Sequence, residues 1–188
     1  MKYISPSGSE VGEATFARQV KERSGVNFDR CYQCLTCALS CPVFFAFDYL
    51  PNQIIRMIQL GAKSEVLQSS TIWLCASCET CVTRCPYEID IPRLMDNLRQ
   101  IAIEEKVSGK ETAIPTFHQT FLRSIRQWGK QYELGMLLEL KLRVRDLFSD
   151  LGLGIKMLRK AKLSLLPGTV KARREIRNIF KKSAEERD

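Results

Sequence analysis

The sequence predicts a mainly α-helical protein, and three observations predict it. Apolar residues recur at helical spacing through most of the chain. No alternating strand pattern of any length appears, so any sheet is limited to a short hairpin near the cysteines. All eight cysteines fall between positions 31 and 85, in two short runs that interrupt the helical pattern.

The elements follow in order. Residues 1–24 read as a lead-in, with a small polar start at Ser5 to Ser9 and a short helix over Thr15 to Arg23. Residues 25–110 read as the cysteine domain. Between its two cysteine runs, Pro51 to Gly61 has proline at a helix start and glycine at its stop, and Lys63 to Gln68 makes a second short helix. After the second run, Ile91-Pro92 opens a helix whose Leu94, Met95, Leu98, Ile101 and Ala102 share one face. Residues 111–188 read as a basic helical extension. One stripe is Phe117, Phe121, Ile125 and Trp128, and a second is Leu134, Leu137, Leu138, Leu142 and Leu147. Ile155, Leu158, Leu163, Leu165 and Leu166 run irregularly to Pro167, and Val170 to Lys182 is amphipathic through Ala172, Ile176, Ile179 and Phe180.

Composition narrows the class. The 188 residues suffice for one sizeable core or two small ones. No stretch approaches the ~18 apolar residues of a membrane span. Met1 to Val20 lacks the apolar centre of a secretory signal, so a cytoplasmic protein is expected, with membrane association at most peripheral. The formal charge is +8, and the whole surplus lies beyond residue 100. A reducing compartment argues against four disulfides and for metal binding.

The cysteines form a repeat. Cys31-Tyr-Gln-Cys34-Leu-Thr-Cys37-Ala-Leu-Ser-Cys41-Pro42 returns 44 residues later as Cys75-Ala-Ser-Cys78-Glu-Thr-Cys81-Val-Thr-Arg-Cys85-Pro86. Three thiolates at three-residue spacing let a tight loop wrap one corner of a cubane. The extra residue and the proline push the fourth cysteine out of that loop, where in two-cluster ferredoxins it ligates the other cluster. Cys31, Cys34, Cys37 and Cys85 are therefore expected to hold one [4Fe–4S] cluster, and Cys75, Cys78, Cys81 and Cys41 a second. The fold expected is an α-helical ferredoxin-like dicluster domain with a helical C-terminal extension. Zinc is the competing reading. Zinc sites commonly use two C-x2-C pairs, whereas each run here has four cysteines closed by proline.

Neighbours fit the same chemistry. Thr36, Ser77 and Thr80 are small donors expected to reach toward sulfur. Tyr32, Leu35, Val43, Ile72, Trp73, Val82 and Ile89 are expected to keep water from the clusters or to pack the core. His118, the one histidine, reads as a surface or packing residue. No Gly-rich phosphate loop, dinucleotide fingerprint or nucleophilic set is visible. No catalytic residue is assigned, and two clusters without a substrate site read as an electron carrier for partners that hold the chemistry.

Residues 25–105 closely resemble the iron–sulfur C subunit of heterodisulfide reductase. The resemblance is carried by Cys31-Tyr-Gln-Cys34-x-Thr-Cys37, Ile54 to Gly61, Ile72-Trp-Leu-Cys75-Ala-Ser-Cys78, Cys81-Val-Thr-Arg-Cys85-Pro86 and Ile91-Pro92. It implies a subunit of an oxidoreductase complex acting on sulfur compounds. In such complexes a flavin-bearing A subunit passes electrons to the C subunit, and a disulfide is cleaved at a cysteine-rich B subunit. Related bacterial complexes resemble sulfur-oxidising machinery with the flow reversed and sulfane sulfur held on a carrier protein. Leu35 and Ala38-Leu39-Ser40 stand where methanogen members are often glycine-rich, and the long basic tail also departs from theirs. Tyr132 to Gly135 and Lys162 to Pro167 resemble the bacterial tails, so the bacterial sulfur-oxidising branch is expected.

Two other readings compete. An iron–sulfur module of a quinone-linked dehydrogenase, of glycolate or glycerol-3-phosphate type, usually brings a fused cysteine-rich catalytic domain that this sequence lacks. A nucleic-acid-binding protein would account for the basic tail, but leucine and isoleucine interleave with its charges at helical spacing, so no nucleic acid is expected.

Overall fold

The computed structural model describes residues 10–107, 109, 112–144, 152, 156, 157, 159, 160, 168 and 170–185. Every regular element among them is a helix, so the short hairpin allowed near the cysteines is not formed. Contacts divide the chain into two units, Met1–Glu111 and Thr112–Asp188.

The first unit is built around α7 (Ile91–Glu104). Asp90 accepts the Arg93 N–H at 3.0 Å and so caps one of the four orphan donors of a helix start. The expected stripe of Leu94, Met95, Leu98, Ile101 and Ala102 is wholly buried. Burying each of the larger side chains contributes about 1.5–3 kcal/mol. α3 (Pro51–Gln59) adds Ile54, Ile55, Met57 and Ile58; its proline stands in the first turn, and Gln53 Oε1 accepts the Leu50 N–H at 2.8 Å. α4 (Lys63–Gln68) adds Val66 and Leu67, and α5 (Thr71–Leu74) adds Ile72 and Trp73.

α1 (Glu10–Ser24) packs on α3 and α7. Phe16, Val20 and Ser24, four residues apart, form its buried face, so residues the sequence reading set in a lead-in contribute to this core. Arg23 forks onto both Glu104 carboxylate oxygens at 2.7 and 2.8 Å, tying α1 to the end of α7.

In the second unit α8 (Ala113–Trp128) packs with α9 (Glu133–Val144) and α10 (Arg173–Glu185). Its contact face differs from the expected aromatic stripe. Thr120 and Ser124 are the buried residues of α8, together with Met136 of α9, while Phe117 is exposed and Phe121, Ile125 and Trp128 are half-buried. The hydroxyls are satisfied locally, which lets small polar residues sit in the contact. Thr120 Oγ1 donates to the Thr116 carbonyl at 2.8 Å, and Ser124 Oγ accepts the Tyr132 N–H at 2.9 Å. Gly129, at φ 81°, ends α8 in the left-handed region. The Arg173 guanidinium lies 5.5 Å from the Trp128 ring centroid. His118 is exposed beside the Phe117 ring. Leu147, Ile155, Leu158, Leu163, Leu165 and Leu166 lie outside the described residues.

Candidate iron–sulfur centres

The sequence repeat is also a backbone repeat. Gln33 and Ser77 occupy equivalent positions and have φ of 63° and 49°; Leu35 and Glu79 have φ of 65° and 60°. All four are non-glycine residues in the left-handed region, which is uncommon and costs strain. That conformation curls each loop so that its first three cysteines line one cavity. A four-residue helix follows each curl, α2 (Thr36–Leu39) and α6 (Thr80–Thr83), and the two pack on each other. The fourth cysteine then leaves its helix on a backbone bond: Cys41 N–H to the Ala38 carbonyl at 3.3 Å, and Cys85 N–H to the Val82 carbonyl at 3.0 Å.

Two cavities result. One is lined by Cys31, Cys34, Cys37 and Cys85. The other is lined by Cys41, Cys75, Cys78 and Cys81. Each thus gathers three cysteines of one run and the last of the other. Electrostatics agrees with the lining: Cys41 feels Cys75 and Cys78, and Tyr32 of the first loop feels Cys85. Cys37 acts on Cys81, so the two sets meet through their third cysteines. Of the residues expected to exclude water, Tyr32, Leu35 and Ile89 line the first cavity and Val43 the second, whereas Ile72 and Trp73 are buried in the core. Ile91, expected from the sequence only to open a helix with Pro92, lines both.

No disulfide joins any of the eight cysteines. Burial pushes the Cys37 thiol up to about 11 and the Cys81 thiol up to about 12, with Cys31 and Cys75 respectively adding like charge. Burial also raises Cys41. Without metal the inner thiols hold their protons at neutral pH, so loading iron releases them. The outer thiols behave oppositely. Thr36 Oγ1 stands 3.3 Å from Cys34 Sγ, and Thr80 Oγ1 stands 3.5 Å from Cys78 Sγ. These hydroxyls favour thiolate and lower both outer cysteines. Ser77, expected to act likewise, makes no bond to sulfur and serves the left-handed turn.

Three supports were not visible in the sequence. Gln33 Nε2 donates to Cys31 Sγ at 3.4 Å and to the Asn52 carbonyl at 3.0 Å. Arg99 of α7 donates to the Ile72 carbonyl and, at 2.6 Å, to the Cys75 carbonyl, clamping the end of α5 where the second run begins. The Asp48 carboxylate holds the start of α5, accepting from Ser69 Oγ at 2.6 Å, Ser70 N at 3.1 Å and Thr71 N at 3.1 Å. Burial works to raise Asp48, but these donors outweigh it and hold the carboxyl well below the usual range.

The donor sets fit two iron–sulfur cubanes. Each cavity is lined by four cysteines on a largely apolar wall. Among the described residues no three His, Cys, Asp or Glu side chains stand close enough together to hold a single metal ion. When bound, two [4Fe–4S] clusters supply one-electron chemistry. Fold and site together define a dicluster iron–sulfur protein.

Comparison with known proteins agrees. Residues 27–89 match the 4Fe-4S dicluster domain. Over 102 residues the chain is 34% identical to the iron-sulfur C subunit of the CoB--CoM heterodisulfide reductase of Methanopyrus kandleri, covering 54% of this chain and 51% of that protein. It is 33% identical over 112 residues to the C subunit of the ferredoxin:CoB-CoM heterodisulfide reductase of Methanosarcina acetivorans, covering 60% and 44%. It is 37% identical over 76 residues to the C subunit of the H(2):CoB-CoM heterodisulfide,ferredoxin reductase of Methanothermobacter marburgensis, covering 40% and 41%. The chain thus spans about half or less of the length of these relatives.

Proposed function

We propose that this chain is the electron-transfer subunit of a heterodisulfide-reductase-like complex, with Cys31, Cys34, Cys37 and Cys85 holding one [4Fe–4S] cluster and Cys41, Cys75, Cys78 and Cys81 the other. The observation that carries the reading is the lining of the two cavities, each with three cysteines of one run and the fourth of its partner. The chain's own residues position these sulfurs, donate hydrogen bonds to them and wall them with apolar side chains. No substrate site is assigned, so sulfur chemistry on a disulfide or sulfane-sulfur substrate belongs to a cysteine-rich B-type partner, with a flavin-bearing A-type partner on the other side and a sulfur-carrier protein as the substrate's bearer. The relatives are named as subunits of such reductases, which supports a multi-subunit setting.

The relatives above are archaeal. The bacterial sulfur-oxidising branch is supported instead by Leu35, Ala38-Leu39-Ser40 and the basic extension over residues 111–188. That extension, with Leu138, Leu142 and Ile179 each more than half exposed, is assigned to subunit docking.

Affinity purification without air tests the setting. Recovery of a flavoprotein and a protein rich in cysteine pairs is expected; recovery of a quinone-linked dehydrogenase would favour the alternative. Substitution tests the ligation. Cys85→Ser is expected to remove the cluster of Cys31, Cys34 and Cys37, and Cys41→Ser that of Cys75, Cys78 and Cys81. Loss of the cluster on the same run as the substitution would contradict the crossing.

A further inference from the structure

The two cysteine sets are related by repeat, but the donors around them are not. At the position after the first cysteine, the first run has Tyr32 and the second has Ala76; at the next, Gln33 corresponds to Ser77. Gln33 Nε2 lies 3.4 Å from Cys31 Sγ, while Ser77 makes no bond to sulfur. Tyr32, which carries a hydroxyl, lines the first cavity beside Cys34, where the second cavity has Ala76. Thr36 and Thr80 are alike in both sets and cancel.

Gln33 is held in place. Asn52 Nδ2 donates to Gln33 Oε1 at 3.0 Å, and Gln33 Nε2 returns a bond to the Asn52 carbonyl at 3.0 Å, which fixes the amide with its N–H toward sulfur. Asn52 is 5% exposed, and its Oδ1 has no partner. A buried orphan acceptor is destabilising, so the core tolerates a penalty to keep this pair beside Cys31. The walls differ in the same sense. Besides its cysteines the second cavity presents only apolar side chains such as Val43, Phe47 and Met95, whereas the first includes Tyr32, Gln33, Thr36 and Asn52. Arg99 brings a cation to the backbone of the second set, but Asp96 pairs with it at 2.7 Å, which offsets its charge.

Reduction adds negative charge at the sulfurs. N–H and O–H donors stabilise that charge, and an apolar wall opposes it. We propose that Gln33, oriented by Asn52 and aided by Tyr32, sets the two centres at unequal potentials, so that an electron shared between them rests at the Cys31, Cys34, Cys37 and Cys85 set. One electron leaves the second site as it enters the first; no bond or proton moves. The inference rests on the crossed ligation proposed above.

The test is an EPR-monitored redox titration of the full chain, purified without air with both centres loaded. Two one-electron waves are expected, with Cys85→Ser removing the upper and Cys41→Ser the lower. Gln33→Met, which keeps the shape and removes the N–H, is expected to shift the reduced-to-oxidised ratio of the upper wave about tenfold toward oxidised, or about 59 mV for one electron. The lower wave stays in place. Tyr32→Phe, at an exposed residue, shifts the same wave in the same direction by less, and decides the matter if Gln33→Met fails to load iron. An upper wave that stays put in the loaded variants, with the signals assigned as above, overturns this inference alone. Removal of the signal of the Cys75, Cys78 and Cys81 set by Cys85→Ser overturns the crossed ligation and this inference with it.

Discussion

The site is built on four residues whose backbone does what side chains alone do not. Gln33, Leu35, Ser77 and Glu79 hold the left-handed region, and each pair brackets the second cysteine of its run. Leu35 is the telling case, because leucine, branched at Cγ, holds φ of 65° here, whereas a β-branched replacement would not tolerate it. Leu35→Gly is expected to keep both clusters, and Leu35→Val to lose iron from the first set; iron and sulfide counts on both variants check this. Asp48 acts at the same scale. Its folded pKa is depressed, so its stabilisation is present above the ordinary carboxylate value of about 3.9 and is lost as pH falls below it. Asp48→Asn leaves one acceptor where several donors converge and is expected to cost about 1–3 kcal/mol at neutral pH, read from denaturant midpoints. The eight cysteines were legible because cluster chemistry fixes their spacing. Asp48 and Arg99 were not, because their partners lie 23 and 24 residues away, and Gln33 was not, because Asn52, which orients it toward Cys31, lies 19 residues away.

Elements differ in how openly the sequence declares them. α3 and α7 were legible from proline starts and apolar spacing, and α7 buries the face its pattern predicts. α1 was legible only in part. Its charged residues dilute the pattern, and its buried face rests on Phe16 and Val20. α8 misled because its contact face is Thr120 and Ser124, hydroxyl residues that a search for apolar stripes passes over. α7 serves the second centre as both wall and clamp, through Met95 and Arg99. Leu98→Ala is expected to destabilise the first unit by about 2–5 kcal/mol, measured by denaturant unfolding. Arg99→Met removes the clamp on the Cys75 carbonyl and is expected to loosen iron in the second set first. Equal loss from both sets would show that the clamp is not local.

At the scale of the whole molecule, charge and metal divide the chain. Residues 1–100 balance ten Lys/Arg against ten Asp/Glu, and two loaded centres of about −2 each make that part acidic. The extension carries the positive surplus. Partner capture through the extension is therefore expected to weaken with salt, and binding that ignores ionic strength would argue for apolar contact alone. No helix among the described residues is long and apolar enough to cross a membrane. Cluster removal is expected to melt the cysteine loops with α2 and α6, which have no core of their own, and an unchanged circular dichroism spectrum would contradict that coupling. Electron transfer by this chain requires that the two cysteine runs hold two iron–sulfur cubanes. Iron, acid-labile sulfide and the reduced-state EPR spectrum of the chain purified without air test it most directly. About eight iron and eight sulfide per chain, with signals from two interacting centres, is the result predicted. Zinc without sulfide would contradict it.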